Sequence, residues 1–107
     1  MASRTSNGGN VDLEHASVLV ADDDTTHRRG VREALEANGF VVVAEAGDAD
    51  TAINATTRLR PDILLLEIEL PGDGLAAVGR IAKASPQTLI TMPDAAIGRR
   101  GDEMSVR

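Results

Sequence analysis

The stretch Arg60-Pro61-Asp62-Ile63-Leu64-Leu65-Leu66-Glu67-Ile68-Glu69-Leu70-Pro71-Gly72 sets the class of fold. Pro61 stops any helix that precedes it, because proline has no amide hydrogen and restricts the residue before it. Ile63–Leu66 is a continuous apolar run with no alternation. Such a run fits a strand covered on both faces, as strands of a parallel sheet are. A strand is predicted over Ile63–Glu67, ending on an acid, and Pro71-Gly72-Asp73-Gly74 reads as a tight loop.

The same grammar repeats outward from this strand. Upstream, Ser17–Ala21 (SVLVA) is short and β-branched, which predicts a buried strand running into Asp22-Asp23-Asp24. Thr25 or Thr26 is the expected cap of the following helix. Its inner face is read as Val31, Ala34 and Leu35, and Asn38-Gly39 closes it. Phe40–Ala44 (FVVVA) is a second strand, and Ala46-Gly47-Asp48 is a turn. Asp50 to about Leu59 is a second helix with Ala52, Ile53, Ala55 and Thr56 inward. Downstream, Leu75–Ala84 is a third helix with Leu75, Val78, Ile81 and Ala82 as its stripe. Ser85-Pro86 stops it before a short fourth strand, Thr88–Met92.

Strands alternating with single helices imply a parallel sheet joined by right-handed crossovers. The expected fold is therefore a doubly wound α/β domain of about four strands. The ligand edge of such a sheet lies beyond the carboxyl ends of its strands. Residues 1–16, polar around Asn7-Gly8-Gly9-Asn10, read as a flexible leader, residues 17–92 as the folded domain and residues 93–107 as an irregular tail.

Composition narrows the function. The chain has 107 residues and a net charge of −6. Ten scattered arginines and one lysine, Lys83, are a poor match to a phosphate backbone, so direct nucleic acid binding is not expected. A single aromatic residue, Phe40, leaves no base-stacking platform. No cysteine is present for a disulfide or a thiolate metal site. The apolar runs are far too short to span a bilayer, and Met1–Asn10 has no signal-like core. A cytoplasmic location without membrane contact is the expectation.

The acids are placed where chemistry is expected. If the first strand is central, the loops after strands one and three are neighbours. Asp22, Asp23 and Glu67 then share one sheet edge, with Glu69 close by. Clustered carboxylates repel one another unless a cation joins them, and a hard oxygen-liganded ion such as Mg²⁺ suits that role. The same acids also fit a helix N-terminus, where the helix dipole favours negative charge. His15 and His27 read as surface residues.

Val18–Arg29 (VLVADDDTTHRR) and Arg60–Gly72 together resemble the receiver domains of two-component response regulators. The resemblance runs from about residue 17 to residue 92. It implies a flavodoxin-like (CheY-like) fold and a role in phosphorelay signalling. The implied partner is a histidine kinase or another signalling protein. Position by position, Asp22 and Asp23 match the metal-binding acidic pair, with weak Mg²⁺ binding implied. Glu67 stands at the phospho-acceptor position, Glu69 at the position whose backbone carbonyl ligates the metal, and Thr91 at the switch hydroxyl. A non-enzymatic module is implied.

The chain departs from the family pattern in four ways. The acceptor is glutamate, whose carboxylate stands roughly 1.5 Å farther out than that of aspartate. Loop Pro71–Gly74 is one residue short. The segment between the third helix and fourth strand is contracted. Strand five and helix five, with the lysine that contacts the phosphoryl group, have no counterpart, since Lys83 lies on the third helix. A pseudo-receiver acting through protein–protein contact follows from these departures. An uncovered sheet face or edge would favour self-association. Two alternatives stand beside this reading. Asp22-Asp23-Asp24-Thr25-Thr26 also resembles the D-x-D-x-T motif of haloacid-dehalogenase-like phosphatases, with Asp22 as nucleophile and Asp24 as acid/base. The other is a truncated fragment without function.

Overall fold

The computed structural model describes residues 15–67 and 69–92. The elements are β1 (Ser17–Ala21), α1 (Thr25–Ala37), β2 (Val41–Ala46), α2 (Ala49–Leu59), β3 (Ile63–Leu66), α3 (Gly74–Ala84) and β4 (Leu89–Thr91). They form one four-stranded parallel sheet of order β2-β1-β3-β4, so β1 and β3 are the central pair. This is the flavodoxin-like arrangement. The expected tail, residues 93–107, lies outside the described residues, as does all of the expected leader but His15 and Ala16. Ala16 is fully buried, and its carbonyl accepts from Val41 N at 2.9 Å.

The apolar run in β3 behaves as its lack of alternation requires. Successive side chains point to opposite faces of a sheet. Leu64 and Leu66 join Leu19 and Ala21 on one face, where they meet Ala52 and Ala55 of α2 and Ala77 and Ile81 of α3. Ile63 joins Val18, Val20 and Val42 on the other, where Val31 and Leu35 of α1 pack with Phe40 and Leu65. The register between β1 and β2 shifts between Val18 and Leu19, so Val43 has no partner of its own and stands 40% exposed.

The amino ends of the central strands are fastened by polar residues. Ser17 N and Oγ donate to Asp62 Oδ2 at 2.8 and 3.1 Å, and Asp62 N donates back to Ser17 Oγ at 2.8 Å. Thr88 Oγ1 donates to the Pro61 carbonyl at 2.7 Å, and Leu89 N to that of Asp62 at 2.8 Å. The Pro61-Asp62 pair thus ends α2 and also sets the β1–β3–β4 alignment. Partnered polar groups can be buried at low cost, and Ser85 and Thr88 are.

Several local expectations change. The cap of α1 is Asp24, whose side chain accepts from His27 N at 3.1 Å; Thr25 and Thr26 lie inside the helix. Aspartate competes well for this position because its carboxylate reaches the free amides of the first turn. Asp48 and Asp73 cap α2 and α3 in the same manner, so each helix starts on an acid. Ala34 is exposed, and no residue of α1 is fully buried. The buried stripe of α3 is Gly74, Ala77 and Ile81, while Leu75 is 65% exposed and Ala82 faces solvent. Strand β2 begins one residue later than expected and runs two further, to Ala46. Strand β3 closes at Leu66, which puts Glu67 in the loop.

Candidate functional site

The carboxyl edge of the sheet is built by the backbone first. Asp22 N donates to the Ala46 carbonyl and Glu67 N to the Ala21 carbonyl, both at 2.9 Å. Ala21 pairs with Leu66, so Asp22 and Glu67 each follow one member of a paired couple. They leave the sheet side by side. Thr91, half-buried, pairs with Leu65 on the neighbouring strand and closes the same edge from the β4 side. Leu70 N donates to the Glu67 carbonyl at 3.1 Å, curling the chain back so that Glu69 is exposed.

The loop that follows is tied to α2. Ala49 N donates to the Pro71 carbonyl at 2.9 Å. Gly72 has φ +95°, and a Cβ there would stand 3.2 Å from the Ala49 side chain. Both observations favour glycine, because a side chain is strained at this φ and its Cβ would crowd Ala49.

Asp22 is the most enclosed acid of the edge, at 5% exposure. Its Oδ1 accepts from Asp24 N at 2.9 Å, and its Oδ2 is bonded to His27 Nδ1. Its carbonyl accepts from Arg28 Nη1. Arg28 is held in turn by Glu45, which accepts from Arg28 Nε at 2.8 Å and from Arg32 Nη1 at 2.7 Å. These two hydrogen bonds, that from Arg32 foremost, hold the Glu45 carboxyl below its ordinary range. Asp23 is exposed, and Asp24 caps α1.

The structure therefore brings Asp22, Glu67 and Thr91 to one edge and leaves Asp23 and Glu69 on its solvent side. His27 is a surface residue, as expected, but it has a partner that the sequence did not indicate. Its side chain is 60% exposed, yet its ring closes over Asp22. Arg28 and Glu45 also belong to the edge and were not singled out from sequence. The signal for His27 was its place in the first turn of a helix beginning three residues after Asp22. A side chain there reaches back toward the helix N-terminus. Asp24, assigned as acid/base in the phosphatase reading, is committed to capping by the same turn.

A family model described as the response regulator receiver domain matches residues 18–97. The chain belongs to the response regulator receiver domain family. Among its relatives is the nitrate/nitrite response regulator protein NarP of Escherichia coli, 40% identical over 83 residues, or 73% of this chain and 39% of that protein. The transcriptional regulatory protein PdtaR of Mycobacterium tuberculosis is 31% identical over 77 residues, 69% of this chain and 38% of that protein. Among solved structures, a LuxR-family two-component response regulator from an Aurantimonas species superposes with a TM-score of 0.65 at 33% identity. That match covers 82% of this chain and 67% of the other. The response regulator domain of Thermotoga maritima CheB does so with a TM-score of 0.65 at 28% identity, covering 70% and 58%.

The receiver spans about two fifths or less of the length of these curated relatives. Some relatives are protein-glutamate methylesterases, but this chain covers only 23% of one such protein. Receiver domains interact with histidine kinases and other proteins. Among the described residues, no helix is long and apolar enough to cross a membrane.

Receiver domains typically bind Mg²⁺ at the phosphorylation site. Of the matched acidic pair that would hold it, Asp23 is exposed and Asp22 is enclosed. Both carboxylate oxygens of Asp22 are engaged within the protein. Among the described residues, no three acidic or imidazole side chains stand close enough together to hold a metal.

Proposed function

We propose that this receiver is a pseudo-receiver, a signalling module that works through protein–protein contact and does not turn over a phosphoryl group. The observation that carries this reading is Glu67, which follows β3 where receivers place their phospho-accepting aspartate. The extra methylene displaces the nucleophilic oxygen by roughly 1.5 Å, and in-line displacement tolerates little misplacement. Glu67 then contributes fixed negative charge beside Asp22, and Thr91 is the hydroxyl nearest in register to respond to it.

A histidine kinase or another signalling protein is the proposed partner. Val41 and Val43 on edge strand β2 and Leu89 on edge strand β4 are exposed, which supports contact with another protein or a second copy. The acidic composition supports a protein partner over nucleic acid. A single monomeric species by sedimentation velocity, unchanged across a wide concentration series, would remove the self-association part of the proposal.

Acetyl phosphate provides the direct test. No stable phosphoryl incorporation is expected with the native chain. An acid-stable, base-labile adduct that forms on the native chain and vanishes in Glu67→Gln would refute the pseudo-receiver reading.

A further inference from the structure

We propose that His27 is an internal latch on Asp22, closing the acidic edge of this receiver to divalent metal. A carboxylate oxygen only accepts, so the His27 ring nitrogen must donate: Nδ1–H lies on Asp22 Oδ2. The other oxygen, Oδ1, takes the Asp24 amide at 2.9 Å. The Asp22 side chain is 8% exposed, while that of His27 is 60% exposed. An exposed imidazole is thus hydrogen-bonded to an enclosed carboxylate and occupies its Oδ2.

The latch is held from two directions. Asp24 accepts from His27 N and fixes the first turn of α1, from which the ring reaches back. Arg28 Nη1 donates to the Asp22 carbonyl, and Glu45 fixes Arg28. A magnesium ion needs near-octahedral geometry and keeps several waters. An ion that takes Asp22 Oδ2 as a ligand must displace the His27 hydrogen bond there, so the ring swings away as the ion approaches. Asp23 remains exposed, but a lone surface carboxylate is a weak site. This inference stands on side-chain geometry and holds whether or not Glu67 accepts a phosphoryl group.

Mn²⁺ serves as a paramagnetic probe of the magnesium site, with line broadening of the Asp23 and Asp24 amides as the readout and no phosphoryl donor present. The native chain should show little selective broadening. His27→Ala and His27→Leu, both at an exposed ring, should show it with apparent affinity raised roughly tenfold or more, the scale set by a hydrogen bond to a charged group. Asp22→Asn in the His27→Ala background should abolish it. Equal broadening in the native chain and the variants would overturn the proposal. So would its absence from both variants.

Discussion

The two faces of the sheet are held by different physics. The face under α2 and α3 is a packed apolar layer, with Leu19, Leu64, Leu66 and Ile81 fully buried among alanines. Among the described residues, the face under α1 carries one helix, which buries no residue fully. There Val31 and Leu35 are half-covered, and the helix is joined to β2 by Arg28 and Arg32 on Glu45. Burial of apolar area is worth far more than partly exposed ion pairs, which are screened by solvent. Among the described residues, the face under α2 and α3 is the more firmly packed, and the face that bears the Asp22–His27 pair is the more weakly held.

Truncating a central leucine should break this asymmetry most clearly. Leu64→Ala removes a fully buried side chain and should cost about 3 kcal/mol or more by denaturant unfolding. Leu35→Ala, on the thinner face, should cost only about 1 kcal/mol because its site is already half-open. Equal losses would show that α1 is as firmly packed as α2 and α3.

A second change sharpens the comparison from inside the packed face. Thr56 is fully buried on α2, and its Oγ1 has no hydrogen-bond partner among the described residues. Leaving a buried hydroxyl unsatisfied costs free energy. Thr56→Val keeps the shape and removes that penalty, so the midpoint of thermal unfolding should rise, with a gain of about 1 kcal/mol. A lower midpoint would mean that the hydroxyl has a use in the fold.

The smallest effect belongs to the charged face. Glu45 has its carboxyl pKa lowered by Arg32 and Arg28, so its ion pairs stabilise the fold fully above the ordinary glutamate value of 4.5. That contribution is lost as pH falls from there through the lowered folded-state value. Glu45→Gln should therefore cost roughly 0.5 kcal/mol at neutral pH and close to nothing in strong acid. Unfolding curves of the native and variant chains at a series of pH values should converge as pH falls. A gap that persists below the folded-state value would assign the loss to packing.

The strands were the most legible elements because their signal is local. Uninterrupted apolar runs such as Ile63–Leu66, each between turn residues, need no knowledge of the partner to be read as buried strands. The helix faces were less legible. Hydropathy selected Leu75 for the inward stripe of α3, whereas Gly74 and Ala77 are inward, because helices that pack closely against a neighbour favour small side chains. The cap of α1 was misplaced by one residue because Asp24, Thr25 and Thr26 can all cap, and only the backbone path selects one.

By itself, the sequence determined the alternation of elements, the parallel sheet, the receiver resemblance and the placing of acids at strand ends, all of which rest on residue types within a few positions of one another. The tertiary structure alone decided which acids are engaged and by what. Asp22 meets His27 only because α1 starts immediately after the loop and turns back over it, and Glu45 reaches Arg28 and Arg32 only because β2 lies beside β1 under that helix. Such contacts depend on angles and distances between elements, which no local pattern encodes.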